Sequence, residues 1–322
     1  MTSIPDVSVV IISFNTRDLL RDCLNTLARE AGSVTYEALV VDSASRDGSA
    51  EMIDREFPGA RLFRSAVNLG FAGANNVAFP ECRGRYVVLL NSDAFLTPGA
   101  LAQSVERMDA NPGVGIGGVR LVGRDGSWQP SARMFPSLLN DFLLLSGLSN
   151  RFPKSRFFGR VDRTWADPDE EAEVDWVPGA YSIIRREALE KVGHFDGRFF
   201  LYYEEVDLCR RFKNAGYQVR YFPDIRIVHL GGESSKTLRQ HKMSSAGSQL
   251  TLWRMRSLLL YYRKHHGWQA SVAKRSESAW HALRALKNRG SSKSEESIEI
   301  VRLMDRAWKD TRGGHISPAQ PW

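Results

Sequence analysis

The chain has 322 residues, of which 43% are hydrophobic and 25% charged, a composition typical of a soluble globular protein and unlike that of a disordered or collagen-like one. Its net charge of +7 is unevenly distributed: residues 234–322 hold 17 Lys and Arg against 6 Asp and Glu, whereas the first 233 residues hold 27 against 31. This length accommodates one large α/β domain with an appendage, or two domains of ordinary size.

Cysteine usage and apolar runs indicate a compartment. Cys23, Cys82 and Cys209 lie far apart and form no CxxC pair, so neither a disulfide framework nor a cysteine-based zinc site is predicted. The N-terminal stretch has an acid before its apolar run and no basic segment, which favours a first strand over a signal peptide. No apolar run approaches the roughly 20 residues that cross a bilayer. We therefore expect a cytoplasmic protein that does not span a membrane.

Strand-like and helix-like segments alternate over the first 120 residues. Apolar runs and helical spacing predict strands at 7–13, 38–42, 61–65 and 85–90, and helices at 16–29, 49–57 and 70–81. This order predicts an α/β fold, with a mainly parallel sheet flanked by helices. Ligands of such sheets bind outside the carboxyl ends of the strands, which is where Asn15, Asp42 and Asp93 lie.

The remaining chain is less regular. Residues 121–175 are rich in turns, and we expect them to form loops over the edge of the sheet around one apolar segment at 138–148. Beyond Trp176 the pattern predicts a strand, a helix that begins near Glu204, and two strands at VRYF and IRIVHL. The tail after about residue 234 has helical spacing.

Two adjacent acids, Glu204 and Glu205, begin the helix of YYEEVDLCRRF. Glu205 falls on the apolar side of that helix and is expected to point inward. Burial raises the pKa of such a carboxylate while the helix N-terminus opposes the shift, so Glu205 is suited to act as a general base. Glu204 lies three residues from Asp207 and seven from Arg211, so it is expected to make salt links or to orient its neighbour. The alternative is that both are simply acids of a first helical turn.

An aspartate and a histidine follow two other predicted strands. His229 ends IRIVHL and, taken alone, is more typical of a hydrogen-bonded residue at a strand end than of a ligand. Asp93 taken alone is typical of a helix N-cap, since Pro98 and Gly99 follow. Together the two side chains can hold a divalent cation whose remaining positions are filled by water and diphosphate oxygens.

The glycines of NLGFAGANN, residues 68–76, resemble a phosphate-binding loop, but their spacing matches neither the dinucleotide fingerprint nor the P-loop. Two interpretations stay open. Gly70 and Gly73 permit a tight turn into a helix, or Asn75 and Asn76 offer their amides to a sugar or a ribose.

Seven motifs occur in a familiar order: VSVVIISFN, LVVDSASRDGS, NLGFAGANN, VVLLNSDA, VPGA, GHFDGRFFLYYEEVDLCRR and a histidine 24 residues after Glu205. Together they resemble a family 2 glycosyltransferase of the GT-A fold, and within it the rhamnosyltransferase-like branch of bacterial cell-wall and O-antigen synthesis. The resemblance covers roughly residues 5–235. It implies a GT-A domain at 1–235, with a nucleotide-sugar half over about 1–120 and an acceptor half over about 121–235, and a basic helical extension at 236–322.

The resemblance also implies binding residues. Nucleotide contacts fall on Asn15, Asp42, Asn68, Asn91 and Asp93. Asn91-Ser92-Asp93 matches the family's Asp-x-Asp, so that Asp93 binds Mg²⁺ or Mn²⁺ while Asn91 replaces the first acid. His229 matches a second metal ligand of related enzymes, which partly offsets that loss.

The family's catalytic base is matched by Glu205, although the extra methylene of Glu leaves the choice between Glu204 and Glu205 open. Trp176, Gly179 and Ala180 match a loop near the donor sugar and the acceptor. The implied reaction is a single in-line displacement that inverts the anomeric carbon. It moves a sugar, above all rhamnose from dTDP-rhamnose, onto a cell-wall, O-antigen or lipid-linked glycan; UDP- and GDP-linked donors are the alternative.

The basic tail and the function each leave alternatives. Segment 250–265 interleaves apolar and aromatic residues with arginines and a lysine. It is interpreted either as contacting the anionic inner membrane surface, or as a helix packed on the catalytic domain or on a second subunit of a homo-oligomer. One rival function is a relic that binds nucleotide or glycan without turnover. The other is nucleic-acid binding through the tail, which the lack of a known motif and the acidic first half disfavour, so no nucleic-acid partner is expected.

Overall fold

The computed structural model describes residues 4–231 and 245–318, with side chains from 248 onward in the second range. Its strands in chain order are β1 (Val7–Ser13), β2 (Tyr36–Ser43), β3 (Arg61–Ser65), β4 (Tyr86–Asn91), β5 (Ala94–Leu96), β6 (Val114–Val122), β7 (Trp128–Gln129), β8 (Ala172–Glu173), β9 (Tyr181–Arg185) and β10 (Gln218–His229).

The α-helices of the described ranges are α1 (Arg17–Glu30), α2 (Ser49–Glu56), α3 (Gly70–Ala78), α4 (Ala100–Ala110), α5 (Leu138–Leu145), α6 (Leu148–Arg151), α7 (Arg186–Val192), α8 (Glu204–Asn214), α9 (Ser245–His266), α10 (Gln269–Lys287) and α11 (Ser292–Asp310). Short 3-10 turns occupy Phe79–Glu81 and Phe158–Arg160.

All of these strands join one sheet in the order β3-β2-β1-β4-β9-β6-β10-β5, and β7 and β8 pair with β6 and β10. β3, β2, β1 and β4 run parallel, whereas β9 is antiparallel to both of its neighbours, β4 and β6. The predicted α/β fold with flanking helices is therefore confirmed. The parallel pairing is concentrated in the half built from the first 91 residues, and the other half is mixed.

Apolar side chains cover both faces of this sheet. α1 buries Leu20, Cys23, Leu24 and Leu27 against one face, in a core that also takes residues from α2 and α4. α3, α7, α8 and α9 contribute to the core on the other face. Full burial of one such leucine stabilises the fold by about 1.5–3 kcal/mol. Because both faces are covered, ligands can bind at the ends of the strands.

Several predicted elements differ from the structure. VRYF and IRIVHL form a single strand, β10, with a register shift between Phe222 and Arg226. The prediction of two strands was wrong because Pro223, which cannot donate a ladder hydrogen bond, lies inside this irregularity without ending the strand. Residues 121–175 hold α5 and α6 in addition to loops.

The tail helix α9 is a core helix. Leu252, Trp253, Met255 and the run 258–262 are buried within the chain. Its charges are paired as well: the Arg254 guanidinium lies 2.7 Å from Glu277. The membrane interpretation of segment 250–265 was therefore wrong, because the chain itself covers these apolar side chains, and packing on the catalytic domain is confirmed. Among the described helices, none combines the length and the apolar character that crossing a membrane requires.

Candidate active site

The carboxyl ends of β1 and β2 carry the first two predicted residues. Asn15 has a left-handed backbone (φ 54°), its N–H donates to Ser45 Oγ (2.9 Å), and its Oδ1 accepts from the Arg46 N–H (2.8 Å). Asp42 is only 4% exposed, and its Oδ2 accepts from the Ser45 N–H (3.1 Å). Asp42 Oδ1 is buried without a hydrogen-bond partner. A buried acceptor left unpaired is costly, so this oxygen is suited to accept from a ligand N–H such as that of a nucleotide base.

The glycine-rich turn into α3 has a structural explanation at Gly70. Its φ is +67°, and a Cβ built there would lie 2.1 Å from the Phe200 carbonyl oxygen, so no larger residue fits. Phe71 N–H donates to that same carbonyl (2.8 Å). Asn68 Oδ1 accepts from the Gly70 N–H (2.9 Å) and from Ser43 Oγ (3.3 Å). The turn therefore ties β2 and α3 to the loop that leads into α8.

The two asparagines of α3 differ in how their amides are used. Asn76 Nδ2 donates to the Phe195 carbonyl (2.9 Å) and its Oδ1 accepts from the Phe195 N–H (3.1 Å), so both ends of the amide bind backbone. Asn75 is buried, and its Nδ2 donates to the Phe71 carbonyl (2.9 Å), while its Oδ1 has no partner. Sugar contacts from either residue stay a prediction, and the unpaired Oδ1 makes Asn75 the better placed of the two.

β4 ends at Asn91, at the same end of the sheet as the carboxyl ends of β1 and β2. The Asn91 backbone N–H donates to the Ala180 carbonyl (3.0 Å), and the next residue, Ser92, accepts from Thr16 Oγ1 (2.9 Å). Asp93 follows, 4% exposed, directly before β5. The N-cap interpretation of Asp93 was wrong, because α4 begins at Ala100 with Gly99 as its N-cap.

Asp93 and His229 meet. β5 pairs with the end of β10, which sets His229 opposite Ala94, and His229 Nε2 lies 3.5 Å from Asp93 Oδ1. Two ligand atoms at this separation can both reach one ion, since each metal–oxygen distance is about 2.1 Å for Mg²⁺. The donor set therefore fits a divalent cation.

Gln129 fixes the orientation of this histidine. Its Nε2 donates to the His229 carbonyl (2.8 Å), and its Oε1 lies 3.0 Å from His229 Nδ1. Because a glutamine Oε1 only accepts, Nδ1 carries a proton, and Nε2, which faces Asp93, is the ring nitrogen placed to bind a cation. Nowhere in the described ranges do three His, Cys, Asp or Glu side chains gather as a metal site. A cation held by this pair would take its other ligands from water and phosphate oxygens.

Glu204 and Glu205 begin α8, as predicted, and both are poorly solvated. Their Oε2 atoms are buried without hydrogen-bond partners. Burial, and after it the neighbouring Glu205 charge, raises the pKa of Glu204 well above its usual range. Burial also raises the pKa of Glu205, while backbone N–H groups and the charge of Arg133 oppose that rise. Adjacent buried carboxyls with raised pKa values suit proton transfer.

The salt link expected for Glu204 was wrong. Arg211 pairs instead with Asp207, one turn along the helix (2.9 Å). Glu204 is also the more buried of the two acids, at 3% exposure, whereas Glu205 is half-buried.

The segment 129–133 connects the Asp93–His229 pair to the two acids of α8. Gln129 contacts His229, and the charge of Arg133 lowers the pKa of Glu205 against the rise that burial causes. Arg133 follows Gln129 by only four residues in the chain. Four residues span at most about 14 Å. Trp176 joins the same region: it forms a β-bridge with Arg133, whose guanidinium lies 4.8 Å from the indole ring.

Residues 179 and 180 lie between β4 and α3 and contact both. A Cβ on Gly179 would lie 3.0 Å from the Phe71 ring, and Ala180 is buried next to Asn91. The loop predicted near donor sugar and acceptor therefore lies between Asn91 and α3. Its sugar contacts stay a prediction.

Comparison with known proteins decides the family. The sequence model described as Glycosyl transferase family 2 matches residues 8–207. The chain belongs to glycosyl transferase family 2. The predicted resemblance is confirmed, and the protein is a glycosyltransferase.

Relatives of this glycosyltransferase include the N-acetylglucosaminyl-diphospho-decaprenol L-rhamnosyltransferase of Mycobacterium tuberculosis, which is 28% identical over 71% of the chain and 76% of the relative. Rhamnosyltransferase WbbL of Escherichia coli (strain K12) is 23% identical over 79% of the chain and 92% of the relative. Both names agree with the rhamnosyltransferase-like branch.

Solved structures show the same fold. The mannosyltransferase PcManGT from Pyrobaculum calidifontis, in complex with GDP-Man and Mn²⁺, superposes with a TM-score of 0.56 at 18% identity, covering 97% of this chain and 88% of that one. GalNAc-T7 with UDP, GalNAc and Mn²⁺ gives a TM-score of 0.58 at 14% identity, covering 97% and 57%. The glycosyltransferase therefore has the GT-A fold.

Three parts of the glycosyltransferase site had no signal in the sequence. Gln129 and Arg133 lie in the turn-rich middle, where no periodicity marks them. Tyr202 and Tyr203 both have left-handed backbones (φ 71° and 70°) directly before the two acids. Side chains other than glycine, asparagine and aspartate rarely adopt this conformation, which costs of order 1–3 kcal/mol each and is typical of functional sites. It sets the direction in which α8 enters the site.

Proposed function

We propose that the protein is a divalent-metal-dependent, inverting rhamnosyltransferase that uses dTDP-rhamnose and a glycan or lipid-linked acceptor. The observation that carries the metal dependence is the Asp93–His229 pair, 3.5 Å apart, with the histidine oriented by Gln129. The transferred sugar follows from the names of the two rhamnosyltransferase relatives, and its dTDP carrier from the family resemblance. The acceptor class follows from the first of them, whose name contains a lipid-linked sugar diphosphate.

Each residue then has a role in binding. The unpaired Asp42 Oδ1 accepts from the N–H of the thymine base, and Asn15 holds the loop after β2 against the nucleotide. Asp93 and His229 hold Mg²⁺ or Mn²⁺, which when bound offsets the negative charge that develops on the departing nucleoside diphosphate. Asn91, next to Asp93 at the end of β4, lies at the diphosphate end of the same edge.

Glu205 takes the proton from the acceptor hydroxyl. Two adjacent buried carboxyls resist being charged together, so one is harder to ionise than the other. Arg133 lies near enough to Glu205 to favour its ionised form, whereas Glu204 is more buried and has its pKa raised further. Glu205 is therefore the base, and Glu204 beside it is the acid that is harder to ionise. With one base and no enzyme nucleophile, the attack of the hydroxyl on the anomeric carbon inverts its configuration.

The test is a transfer assay with dTDP-rhamnose, and with UDP- and GDP-linked sugars as competitors, with Mn²⁺ or with EDTA. We expect transfer from dTDP-rhamnose that EDTA abolishes and Mn²⁺ or Mg²⁺ restores. Asp93→Ala should lower turnover at least about 100-fold, because one of only two protein ligands is lost. Nucleotide binding that calorimetry shows to be equal with Mn²⁺ and with EDTA, without turnover, would instead identify a binding relic, as the replacement of the first acid by Asn91 suggests.

A further inference from the structure

Helix α10 buries polar side chains and exposes apolar ones. Its buried positions are Ala270, Ala273, Glu277, His281 and Ala285. Its leucines point outward: Leu283 is 64% exposed and Leu286 68%. Ala279 and Ala282 are exposed on the same side, at helical spacing from both leucines. A surface helix ordinarily buries its apolar stripe, so this stripe is available to something outside the described chain.

The elements next to α10 extend this surface. α5 contacts α10 on one side and α6 on the other. Half of the large hydrophobic residues that are exposed in the described ranges lie on α5, on α10 and in the segment that ends and follows α6. We call them the apolar patch: Leu139, Phe142, Leu144, Phe152, Phe157, Leu283 and Leu286. Each exposes between 40% and 68% of its surface.

Positive charge surrounds the apolar patch. Residues 151–160 contain Arg151, Lys154, Arg156 and Arg160 and no acid. Lys287 and Arg289 follow the leucines of α10, are exposed, and have no ion-pair partner in the described ranges. Glu295 is an exposed acid beyond them. Apolar side chains rimmed by unpaired cations fit a surface that is apolar beneath and anionic at its boundary.

A second copy of the chain fits less well. A two-fold dimer through the apolar patch would bring Lys287 and Arg289 of one copy against the positive rim of the other, and like charges in contact oppose association. We infer that the apolar patch is a docking surface for a membrane containing anionic lipid, with Leu283 and Leu286 inserted at the level of the headgroups. This goes beyond the transfer reaction, and the binding does not depend on which sugar is moved.

The position of α5 connects this surface to the active site. Asp141, on the inner side of α5, accepts a hydrogen bond from the Tyr262 hydroxyl (2.6 Å). Burial and then the Asp141 charge raise the pKa of Tyr203, so Asp141 lies near the residue directly before Glu204. Leu139 and Phe142 lie on the outer side of the same helix. Helix α5 thus lies between the apolar patch and the segment that leads into the candidate base.

The experiment is co-sedimentation of the full chain with vesicles of phosphatidylcholine alone and with vesicles that also contain phosphatidylglycerol. The wild type should bind the mixed vesicles, and added salt should weaken that binding. Leu286→Glu should lower the partition coefficient at least about tenfold, since it removes an inserted side chain and adds a repelled charge. Ile4→Glu is the matched control: Ile4 is 70% exposed and lies outside the apolar patch, before β1, and this variant should bind like the wild type.

Lys287→Gln with Arg289→Gln tests the rim and should lower binding about 30-fold, at about 1 kcal/mol per cation. All variants should keep the wild-type melting temperature and the wild-type rate on a soluble acceptor. Equal binding of Leu286→Glu and Ile4→Glu, or no binding of the wild type to mixed vesicles, would overturn the inference. A dimer, seen by sedimentation velocity, that Leu286→Glu dissociates while vesicles bind nothing would also overturn it and assign the face to a second copy.

Discussion

Buried acids in two successive turns of α8 differ in whether they have ion-pair partners. Asp207 is fully buried and accepts from Arg211 (2.9 Å), Lys264 (2.7 Å) and His265 (2.7 Å). These partners hold the pKa of Asp207 below its usual range even though burial alone would raise it. One turn earlier, Glu204 and Glu205 have unpaired buried oxygens and raised pKa values. Asp207 is thus neutralised by its cationic partners, whereas Glu204 and Glu205 each keep one carboxyl oxygen without a hydrogen-bond partner.

Glu205→Gln should have the largest effect. It removes the proton acceptor without changing the shape of the side chain, so turnover should fall about 100- to 10,000-fold. In the wild type, the raised pKa of Glu205 means that turnover declines as pH falls through that value, at a higher pH than an exposed glutamate would give. A pH–rate profile measures both. Near-normal turnover in Glu205→Gln beside an inactive Glu204→Gln would move the base one residue earlier.

Asp207→Asn should cost about 3 kcal/mol of unfolding free energy, because it leaves cations without their buried counter-charge. Since the pKa of Asp207 is lowered in the folded state, its contribution is complete above the pKa of the unfolded chain, about 4, and is lost as pH falls through the folded value. Urea unfolding over that range measures it. Asp305→Asn, whose aspartate pairs with Lys274 at half exposure, is the control and should cost under about 1 kcal/mol. Equal costs would contradict the contrast.

Gln129→Ala should raise the Mn²⁺ concentration needed for half-maximal turnover about 10- to 100-fold, since His229 loses the group that fixes its tautomer. Saturating Mn²⁺ should restore most of the rate. Gln103→Ala, on α4, removes a glutamine that does not contact His229 and should leave the metal dependence unchanged. A rate loss in Gln129→Ala that metal cannot restore would mean that Gln129 has another role.

Glu204→Gln should have the smallest effect and the opposite sign from Asp207→Asn. An acid whose pKa is raised by folding binds protons more tightly in the native state, so it destabilises the fold as pH rises above the unfolded value. Removing its charge should therefore stabilise the protein at neutral pH by about 1 kcal/mol. Urea unfolding at neutral and at acid pH tests this. A loss of stability at neutral pH would show that Glu204 is paired in solution.

The sequence predicted the parallel half of the sheet well because each strand there is a short apolar run bounded by turns. β1 and β3 begin and end where predicted. The pairing of Asp93 with His229, 136 residues apart in the chain, was suggested by their positions after two predicted strands and supported by the family resemblance.

The tail could not be predicted in the same way. α9 is apolar on several sides, and a core helix and a membrane-surface helix then share one composition. Gln129 and Arg133 were missed because they lie in irregular chain, where a residue's role depends on contacts that have no period.

The contact between α9 and the loop before α8 has a consequence for how this chain can be divided. Phe200 stacks on Trp253 with ring centroids 4.4 Å apart, and Ser257 Oγ donates to the Leu201 carbonyl (2.8 Å). The segment directly before the two acids of α8 thus packs on residues more than 50 positions downstream. A fragment ending near residue 235 would lose both contacts, and a foreign tail joined to the first 235 residues would have to replace them.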